Sequence, residues 1–236
     1  MARRSTSPSS TIEVTAGNRQ GGGRAQQANE NDKLILQAAK EVFVANSSAP
    51  IAEVADRAGV GIAALYRRYP SKEQMLATLC AKGQRTYIDE AEAALRHKGS
   101  AWDAYVLFLR RIVAQDTHAL SSRLAGTFRP TEVHAGLGAR LQSLSEKLFR
   151  RARASGAMRA DVTLLDVGFM LEGIAQVRLG DKPRTAELRQ RLVTLLIDSL
   201  RAGATTPLPG KAPTWDEQNA RWVPPSDHPW AIHDPG

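Results

Sequence analysis

The central part of the chain repeats its hydrophobic residues at the spacing of an amphipathic α-helix. Leu34, Ala38 and Val42 show the pattern, because intervals of three or four residues return a side chain to the same helix face. The same criterion predicts helices over 34–43, 51–58, 62–69, 71–98, 102–113, 119–125, 137–148, 164–179 and 186–201. No stretch shows the alternation of a half-buried strand, so we predict an all-α fold.

Three segments lack this pattern. Residues 1–30 are dominated by Ser, Thr, Gly, Gln and Asn, and we expect a disordered basic arm. Residues 126–138 contain Pro130 and three glycines and are predicted to be a loop. Residues 203–236 hold seven of the 12 prolines and three of the four tryptophans. Because tryptophan is rare in a purely solvated tail, we predict an extended strap that packs on the helical body.

The composition is that of an ordinary globular protein with an excess of basic residues. Of 236 residues, 42% are hydrophobic and 24% are charged, and no apolar run is long enough to span a membrane. The basic start has no apolar stretch behind it, and Cys80 is the single cysteine. We therefore expect a cytoplasmic protein without disulfides or a cysteine-rich zinc site. The net charge of +8 indicates an anionic partner such as nucleic acid, or only the base composition of the genome.

The most specific signal lies in residues 51–69. The segment 51–60 has the pattern of a short helix followed by a tight turn, in which Gly59 can take the positive φ that the turn requires. Residues 62–68 have the pattern of a second short helix. Two short helices joined in this way are typical of a helix-turn-helix, whose second helix enters the major groove of DNA.

These residues resemble the TetR family of bacterial transcription regulators. The resemblance is carried by IAEVADRAGV at 51–60 and LYRRYPSKE at 65–73, with Leu76 after them and the apolar face of 38–43 before them. It covers roughly residues 32–80.

The resemblance implies a domain organisation and a set of partners. A three-helix DNA-binding domain is expected over 31–75 and a larger helical effector-binding and dimerisation domain over 76–202. The implied partners are double-stranded DNA with a palindromic operator, a small-molecule effector and a second copy of the chain, with no membrane.

The resemblance also implies which residues contact DNA. Tyr66 and Lys72 correspond to residues that hold phosphates, and Lys72 opens a helix, where free N–H groups also favour an anion. Arg67 and Arg68 are the candidate base readers, because an arginine can donate two hydrogen bonds to guanine. The other exposed positions of this helix are expected to touch thymine methyl groups or to allow close backbone approach: Ile62, Ala63 and Ala64.

The chain departs from the family's pattern at the start of the first helix of the motif. The family usually has Ser or Thr there, with its hydroxyl on a phosphate, whereas this chain has Ala49 and Pro50. Pro50 suits the first helical position but removes that contact. We expect Ser47 or Ser48 to supply it instead.

Local charge favours a DNA-facing surface around the motif. Between Arg57 and Arg85 there are six basic residues and one acid, Glu73. A charge run is often only a solvated face, but this one coincides with the proposed groove-facing unit. The N-terminal arm adds candidates for minor-groove or phosphate contacts: Arg3, Arg4, Arg19 and Arg24.

In the larger domain the resemblance implies a pocket and a dimer interface. The candidate pocket is an apolar set, although aromatic residues at helical spacing more often form ordinary core: Trp102, Tyr105, Phe108, Ile112, Phe128, Leu141, Leu144 and Phe169. His118 and His134 are candidates to hydrogen-bond the ligand, or simply lie in loops. The candidate interface is a four-helix contact, or the core of a monomer: Leu164, Val167, Met170, Leu171, Ile174, Val177, Leu188, Leu192, Leu195 and Leu196.

Catalytic chemistry is poorly supported. The five histidines lack metal-ligand spacing, and Gly21-Gly22-Gly23 has no strand around it that would make a phosphate loop, so we predict no enzyme activity and no cofactor. The prediction is a dimeric DNA-binding regulator, a repressor released from its operator by a small, largely hydrophobic effector. The alternative is a helical ligand carrier or protein-interaction module that does not bind DNA.

Overall fold

The computed structural model describes residues 20–116, 124–203 and 206–222, with side chains from Glu30 onward. In these ranges the fold is all-α, as the sequence predicts, with one isolated antiparallel bridge between Met158 and Arg201. In chain order the helices are α1 (Gln20–Ala45), α2 (Ile51–Ala58), α3 (Ile62–Arg68), α4 (Lys72–Leu95), α5 (Ala101–Ala114), α6 (Glu132–Ala154), α7 (Leu164–Gln176), α8 (Lys182–Ser199) and α9 (Trp215–Ala220). No helix in these ranges has the length and apolar character needed to cross a membrane.

α1 begins earlier than the hydrophobic pattern indicates. The sequence predicts a disordered arm over 1–30, but the helix starts at Gln20 and includes the three glycines that follow. These glycines lie in the first turn, whose N–H groups have no intrahelical acceptor, so their low helix propensity matters less there than in the interior. Residues 1–19 and the side chain of Arg24 lie outside the described part of the chain.

α6 also begins earlier than predicted. The sequence predicts a loop over 126–138, yet the helix starts at Glu132. Thr131 and His134 form a capping box in which the Thr131 N–H donates to His134 Nδ1 at 3.2 Å. This cap satisfies helix-terminal groups and outweighs the glycines as a local signal.

The remaining helix limits differ from the prediction by a few residues. α8 starts at Lys182 because the Asp181 side chain accepts a hydrogen bond from the Arg184 N–H at 2.9 Å. α7 ends at Gln176, before the predicted limit. Most of the predicted helix over 119–125 lies outside the described residues.

The helices pack around two hydrophobic clusters that share α4. The first cluster joins α1, α2, α3 and the start of α4, and its buried members include Phe43, Leu65 and Met75. The second joins the rest of α4 to α5, α6, α7 and α8, around residues such as Tyr105 and Val193. Because interiors are close-packed and α4 belongs to both clusters, a displacement of α4 must be felt in both.

Charged side chains connect α1 to its neighbours and to the larger bundle. Glu41 accepts hydrogen bonds from Lys182 at 2.5 Å and from Arg57 at 2.6 Å. These bonds, that of Lys182 above all, lower the pKa of Glu41 to about 2. Lys40 donates to the Gln115 carbonyl oxygen, just after α5, at 2.8 Å. The helix-turn-helix is therefore fixed to the bundle by ion pairs and hydrogen bonds as well as by α4.

Candidate functional site

The connection between α2 and α3 has the geometry of a helix-turn-helix. Gly59 takes φ 67° and ψ 31°, the left-handed conformation that the sequence predicts. The Gly59 N–H donates to the Asp56 carbonyl at 3.2 Å, and the Val60 N–H donates to that of Ala55 at 3.0 Å. Leu65 is fully buried and anchors α3 in the first cluster, which leaves the opposite face of α3 in solvent.

The solvent face of α3 carries the residues predicted to reach DNA. Ile62 and Tyr66 are 42% and 47% exposed, although both have large apolar surfaces. Ala63 and Arg67 are exposed, and Ala64 is half-buried. Within the described part of the chain Arg67 has neither a hydrogen bond nor an ion pair, so its guanidinium is available to an external acceptor.

Arg68 is placed differently from Arg67. Its Nε and Nη2 donate to the two carboxylate oxygens of Asp32 on α1, at 2.7 and 2.6 Å. The Tyr69 hydroxyl donates to the same carboxylate at 3.0 Å, and the pKa of Asp32 is lowered, chiefly by the hydrogen bond from Arg68. The sequence presents the two arginines as equivalent, whereas the structure commits Arg68 to α1 and leaves Arg67 free.

A shallow groove at the start of α4 brings together some of the predicted phosphate contacts, whereas Tyr66 does not line it. Ser48 and Lys72 line it, with Ser47 and Arg129. Lys72 is the first residue of α4, where unpaired backbone N–H groups favour an anion, and its Nζ lies 5.3 Å from the centroid of the Phe43 ring. The groove therefore combines hydroxyls, cations and a helix terminus with one carboxylate, that of Glu73.

α2 begins at Ile51, as the sequence predicts, but Pro50 does not take the helical position for which it is suited. Pro50 is the residue before the helix, with φ −68°, instead of its first helical residue, and no side chain caps the helix. Ser48 is exposed close by in the chain, and its N–H donates to the Asn46 side chain at 3.0 Å.

A cavity of about 470 Å³ lies between α4, α6, α7 and α9. Three of the eight predicted pocket residues line it, namely Phe128, Leu141 and Phe169. The other five do not line it and belong to the second hydrophobic cluster instead: Trp102, Tyr105, Phe108, Ile112 and Leu144. The four on α5 are buried because that helix packs its apolar face into the middle of the bundle.

Sequence reasoning named His134 but missed most of the polar part of the cavity wall. The polar residues that it missed on the bundle helices are Gln84 and Tyr87 of α4, Gln142 and Ser145 of α6, and Glu172 of α7. The Tyr87 and Ser145 hydroxyls are hydrogen-bonded to each other at 2.9 Å. The available signal was the interruption of an apolar helix face by a polar residue, as Glu172 interrupts LLDVGFMLEGIAQ.

Two side chains in the cavity wall, His134 and Cys80, are of types that often take part in reactions. Here one is hydrogen-bonded on both ring nitrogens and the other is buried. The Nδ1 atom of His134 accepts from Thr131, and its Nε2 donates to the Ala77 carbonyl at 2.8 Å. Cys80 is buried, and burial raises the pKa of its thiol to about 12, so it stays a thiol at neutral pH. His118, the other predicted ligand histidine, lies outside the described residues.

The proline- and tryptophan-rich tail packs along the body and closes one side of the cavity. Arg159 donates to the Thr206 carbonyl at 2.8 Å, and the Leu208 N–H donates to the Asp161 carboxylate at 3.2 Å. Farther along, α9 and the turn after it place four side chains in the cavity wall: Trp215, Gln218, Asn219 and Trp222. Residues 223–236, with Trp230, lie outside the described part of the chain.

A second groove, on α7 and α8, is almost entirely apolar. Met170 and Leu195 are 45% and 60% exposed beside it. Six of the ten residues predicted at the dimer interface line this groove: Met170, Ile174, Val177, Leu192, Leu195 and Leu196. Val167 and Leu171 are buried in the subunit's own core because they lie on the inner face of α7. Leu164 lines the cavity, and Leu188 is half-buried outside the groove.

Two family models match the chain and together cover more than half of it. Residues 35–79 match the model described as bacterial regulatory proteins of the tetR family, and residues 100–202 match the C-terminal domain of SbtR-like transcriptional regulators. The chain belongs to the TetR family. As a TetR-family protein it is a DNA-binding regulator of transcription. A search of curated proteins found no match.

Solved structures of TetR regulators share this fold. A TetR regulator from Streptomyces coelicolor is 25% identical with a TM-score of 0.51, and the match covers 73% of this chain and 99% of that one. A second, from Mycobacterium vanbaalenii, is 24% identical with a TM-score of 0.52, covering 76% and 99%. PfmR from Thermus thermophilus is 20% identical with a TM-score of 0.53, covering 70% and 97%.

In this TetR-family chain one loop connects the cavity to the helix-turn-helix. Phe128 lines the cavity and is also buried in the first hydrophobic cluster. The N–H of the next residue, Arg129, donates to Glu73 in the first turn of α4 at 3.2 Å. The start of α4 is therefore in direct contact with a segment that also lines the cavity.

Proposed function

We propose that the protein is a dimeric repressor that binds a palindromic operator through α3 and leaves it when a small molecule enters the cavity. The observation that carries this proposal is the position of Phe128, which belongs both to the cavity wall and to the cluster that supports α3. Because the proposed binding partner is chromosomal DNA, the proposal places the protein in the cytoplasm.

In this proposal α3 lies in the major groove. Arg67 donates two hydrogen bonds to the O6 and N7 atoms of a guanine, for which its free guanidinium is suited. Arg68 supports α3 from α1 through Asp32. The remaining contacts divide between phosphates (Ser48, Tyr66 and Lys72) and base edges or thymine methyl groups (Ile62, Ala63 and Ala64).

The apolar groove on α7 and α8 is the proposed dimer interface. A twofold axis through it would pack these two helices against their copies, giving a four-helix contact with the same patch on both subunits. The large exposed surfaces of Met170 and Leu195 support this assignment, because such patches usually mark an interaction site. The twofold symmetry would present one α3 to each half of a palindrome.

Replacing Leu195 with aspartate is expected to convert the dimer to a monomer. The new carboxylate would be buried without a partner in an apolar contact, which is strongly unfavourable. Sedimentation velocity at matched protein concentration measures the result. Leu34→Asp on α1 is the control, since Leu34 is 57% exposed and lies away from the groove. A Leu195→Asp protein that stays dimeric would contradict the interface.

Release from DNA follows from the contacts of the cavity in this proposal. A ligand that binds the cavity shifts Phe128 and the loop that holds Glu73, and α4 moves with them. The spacing of the two α3 helices in the dimer then no longer matches the half-sites. The ligand lowers operator affinity only as far as it prefers the displaced arrangement.

Selection of bound sequences from random DNA duplexes tests the function. A palindromic consensus is expected, and affinity for it should fall steeply with salt because phosphate contacts release counterions. No enrichment by a folded dimer would contradict the proposal. It would favour the alternative of a ligand carrier or protein-interaction module.

A further inference from the structure

The cavity wall holds a carboxylate that is paired with the C-terminal tail. The Glu172 side chain is only 14% exposed. Arg221, the residue after α9, donates from Nη1 to Glu172 Oε1 at 2.9 Å, and its Nη2 lies 2.8 Å from Oε2. Two parallel contacts of this kind are the geometry in which a planar guanidinium recognises a carboxylate.

An aromatic ring completes this site. The guanidinium carbon of Arg221 lies 5.4 Å from the centroid of the Phe169 ring, within the range of a cation–π contact. Phe169 and Glu172 both line the cavity, and their spacing of three residues puts them on the same face of α7. A carboxylate and a ring face together are a recognition site for an organic cation.

We propose that the cavity binds an organic cation, a guanidine or amine on an apolar body, and that Arg221 occupies the place of this cation when the cavity is empty. The inference rests on the proposed role of the cavity as the effector site. A carboxylate removed from water needs a counter-charge. Glu172 therefore pairs with either of two cations, that of the tail or that of the ligand, and the apolar part of the wall receives the rest of the molecule.

Gln84, in the same cavity wall, also favours a ligand that carries N–H groups. Its Nε2 donates to the His134 carbonyl at 3.4 Å, and its Oε1 is buried with no hydrogen-bond partner among the described residues. A buried carbonyl oxygen without a donor is unfavourable, so a small adjustment of this amide toward an N–H in the cavity would satisfy it. The two acceptors in the wall agree with a donor-rich ligand.

The tail is attached loosely enough to be displaced. α9 spans only Trp215–Ala220 and has no buried residue. Such segments, with few buried contacts, open at low free-energy cost. After Arg221 the chain continues to Trp222, whose ring lies 6.3 Å from that of Phe128. Displacement of Arg221 by a ligand would therefore also disturb Phe128, the residue that connects the cavity to the first cluster.

Titration calorimetry with phenethylguanidine and its uncharged analogue phenethylurea tests the inference. The wild-type protein is expected to bind the guanidine at least about tenfold more tightly, because only the guanidine can replace Arg221 on Glu172. Glu172→Gln keeps the shape and removes the charge, and should abolish this preference. Arg221→Gln removes the internal competitor and should strengthen guanidine binding. Arg184→Gln, which breaks an exposed ion pair with Glu187, is the matched control and should leave both affinities unchanged.

Three outcomes would overturn the inference. The first is equal binding of phenethylurea and phenethylguanidine by both the wild type and Arg221→Gln. The others are an unchanged preference in Glu172→Gln, or no binding of phenethylguanidine by a folded Arg221→Gln protein. Circular dichroism establishes that each variant is folded. A separate titration of protein bound to its selected operator distinguishes the two proposals. Guanidine that binds without releasing DNA would contradict the effector role alone, whereas release by the uncharged ligand with no role for Glu172 would contradict the cation site alone.

Discussion

Replacing Arg67 with alanine is expected to weaken recognition of the operator by about 1–3 kcal/mol per half-site, or roughly 5- to 150-fold, with fold and dimer intact. The reason is that this exposed guanidinium makes no contact inside the described part of the chain, so its removal affects only what it binds outside. Fluorescence anisotropy measures the effect on the selected operator and on a duplex with one base pair changed in each half-site, at a single salt concentration. The wild type should discriminate between the two duplexes, and the variant should not.

Arg68→Ala is the matched control for this measurement. Because Arg68 is held by Asp32, its loss should lower the stability of the α1–α3 contact, while the folded fraction keeps its preference for the operator. An Arg67→Ala protein with full discrimination, next to an Arg68→Ala protein without it, would reverse the assignment. Lys72→Gln should instead weaken binding to every sequence and reduce the salt dependence, as expected for a phosphate contact.

The helix-turn-helix was predictable because its determinants are local. Gly59 has to turn the chain within a few residues, and Ser71 caps α4 by accepting a hydrogen bond from the Gln74 N–H at 3.1 Å. Both signals lie within four residues of the structure that they produce. The difference between Arg67 and Arg68 is not local, because Asp32 lies 36 residues away in the chain. Composition and spacing therefore predict the motif but not which arginine is free.

The cavity, unlike the helix-turn-helix, could not be predicted from local sequence. Hydrophobic periodicity predicts that α5 is buried, but not what it is buried against. It therefore left Trp102 and Tyr105 open between a ligand pocket and the core, and they lie in the core. The pair of Glu172 and Arg221 joins residues 49 positions apart, across a segment rich in proline. That the tail packs on the body could be predicted because tryptophan disfavours a solvated tail, but the expected extended strap contains the helix α9 over Trp215–Ala220. Its position over the cavity depends on tertiary contacts that no short window contains.

Arg189 of α8 is a buried cation at the junction between the end of α5 and the end of α7. Its side chain is 8% exposed, and Nη1 contacts the Asp116 carboxylate at 2.8 Å. Nε donates to the Val177 carbonyl at 3.1 Å and Nη2 to that of Ala175 at 2.7 Å. The guanidinium thus donates to two carbonyls at the end of α7 and to Asp116 just after α5. Asp116 follows Gln115, whose carbonyl accepts a hydrogen bond from Lys40 of α1.

Replacing Arg189 with methionine is expected to lower the free energy of unfolding by about 3–5 kcal/mol, because the variant keeps similar bulk but leaves a partly buried carboxylate and two carbonyl oxygens without their donor. Urea denaturation followed by circular dichroism, at matched protein concentration because dimerisation contributes, gives the value. Arg191→Met on the exposed face of α8 is the control and should stay within about 0.5 kcal/mol of the wild type. If Arg189→Met is as stable as that control, the ion pair with Asp116 does not hold the junction. If it is destabilised and Arg189→Met with Asp116→Asn recovers part of the loss, the unpaired carboxylate is the cause.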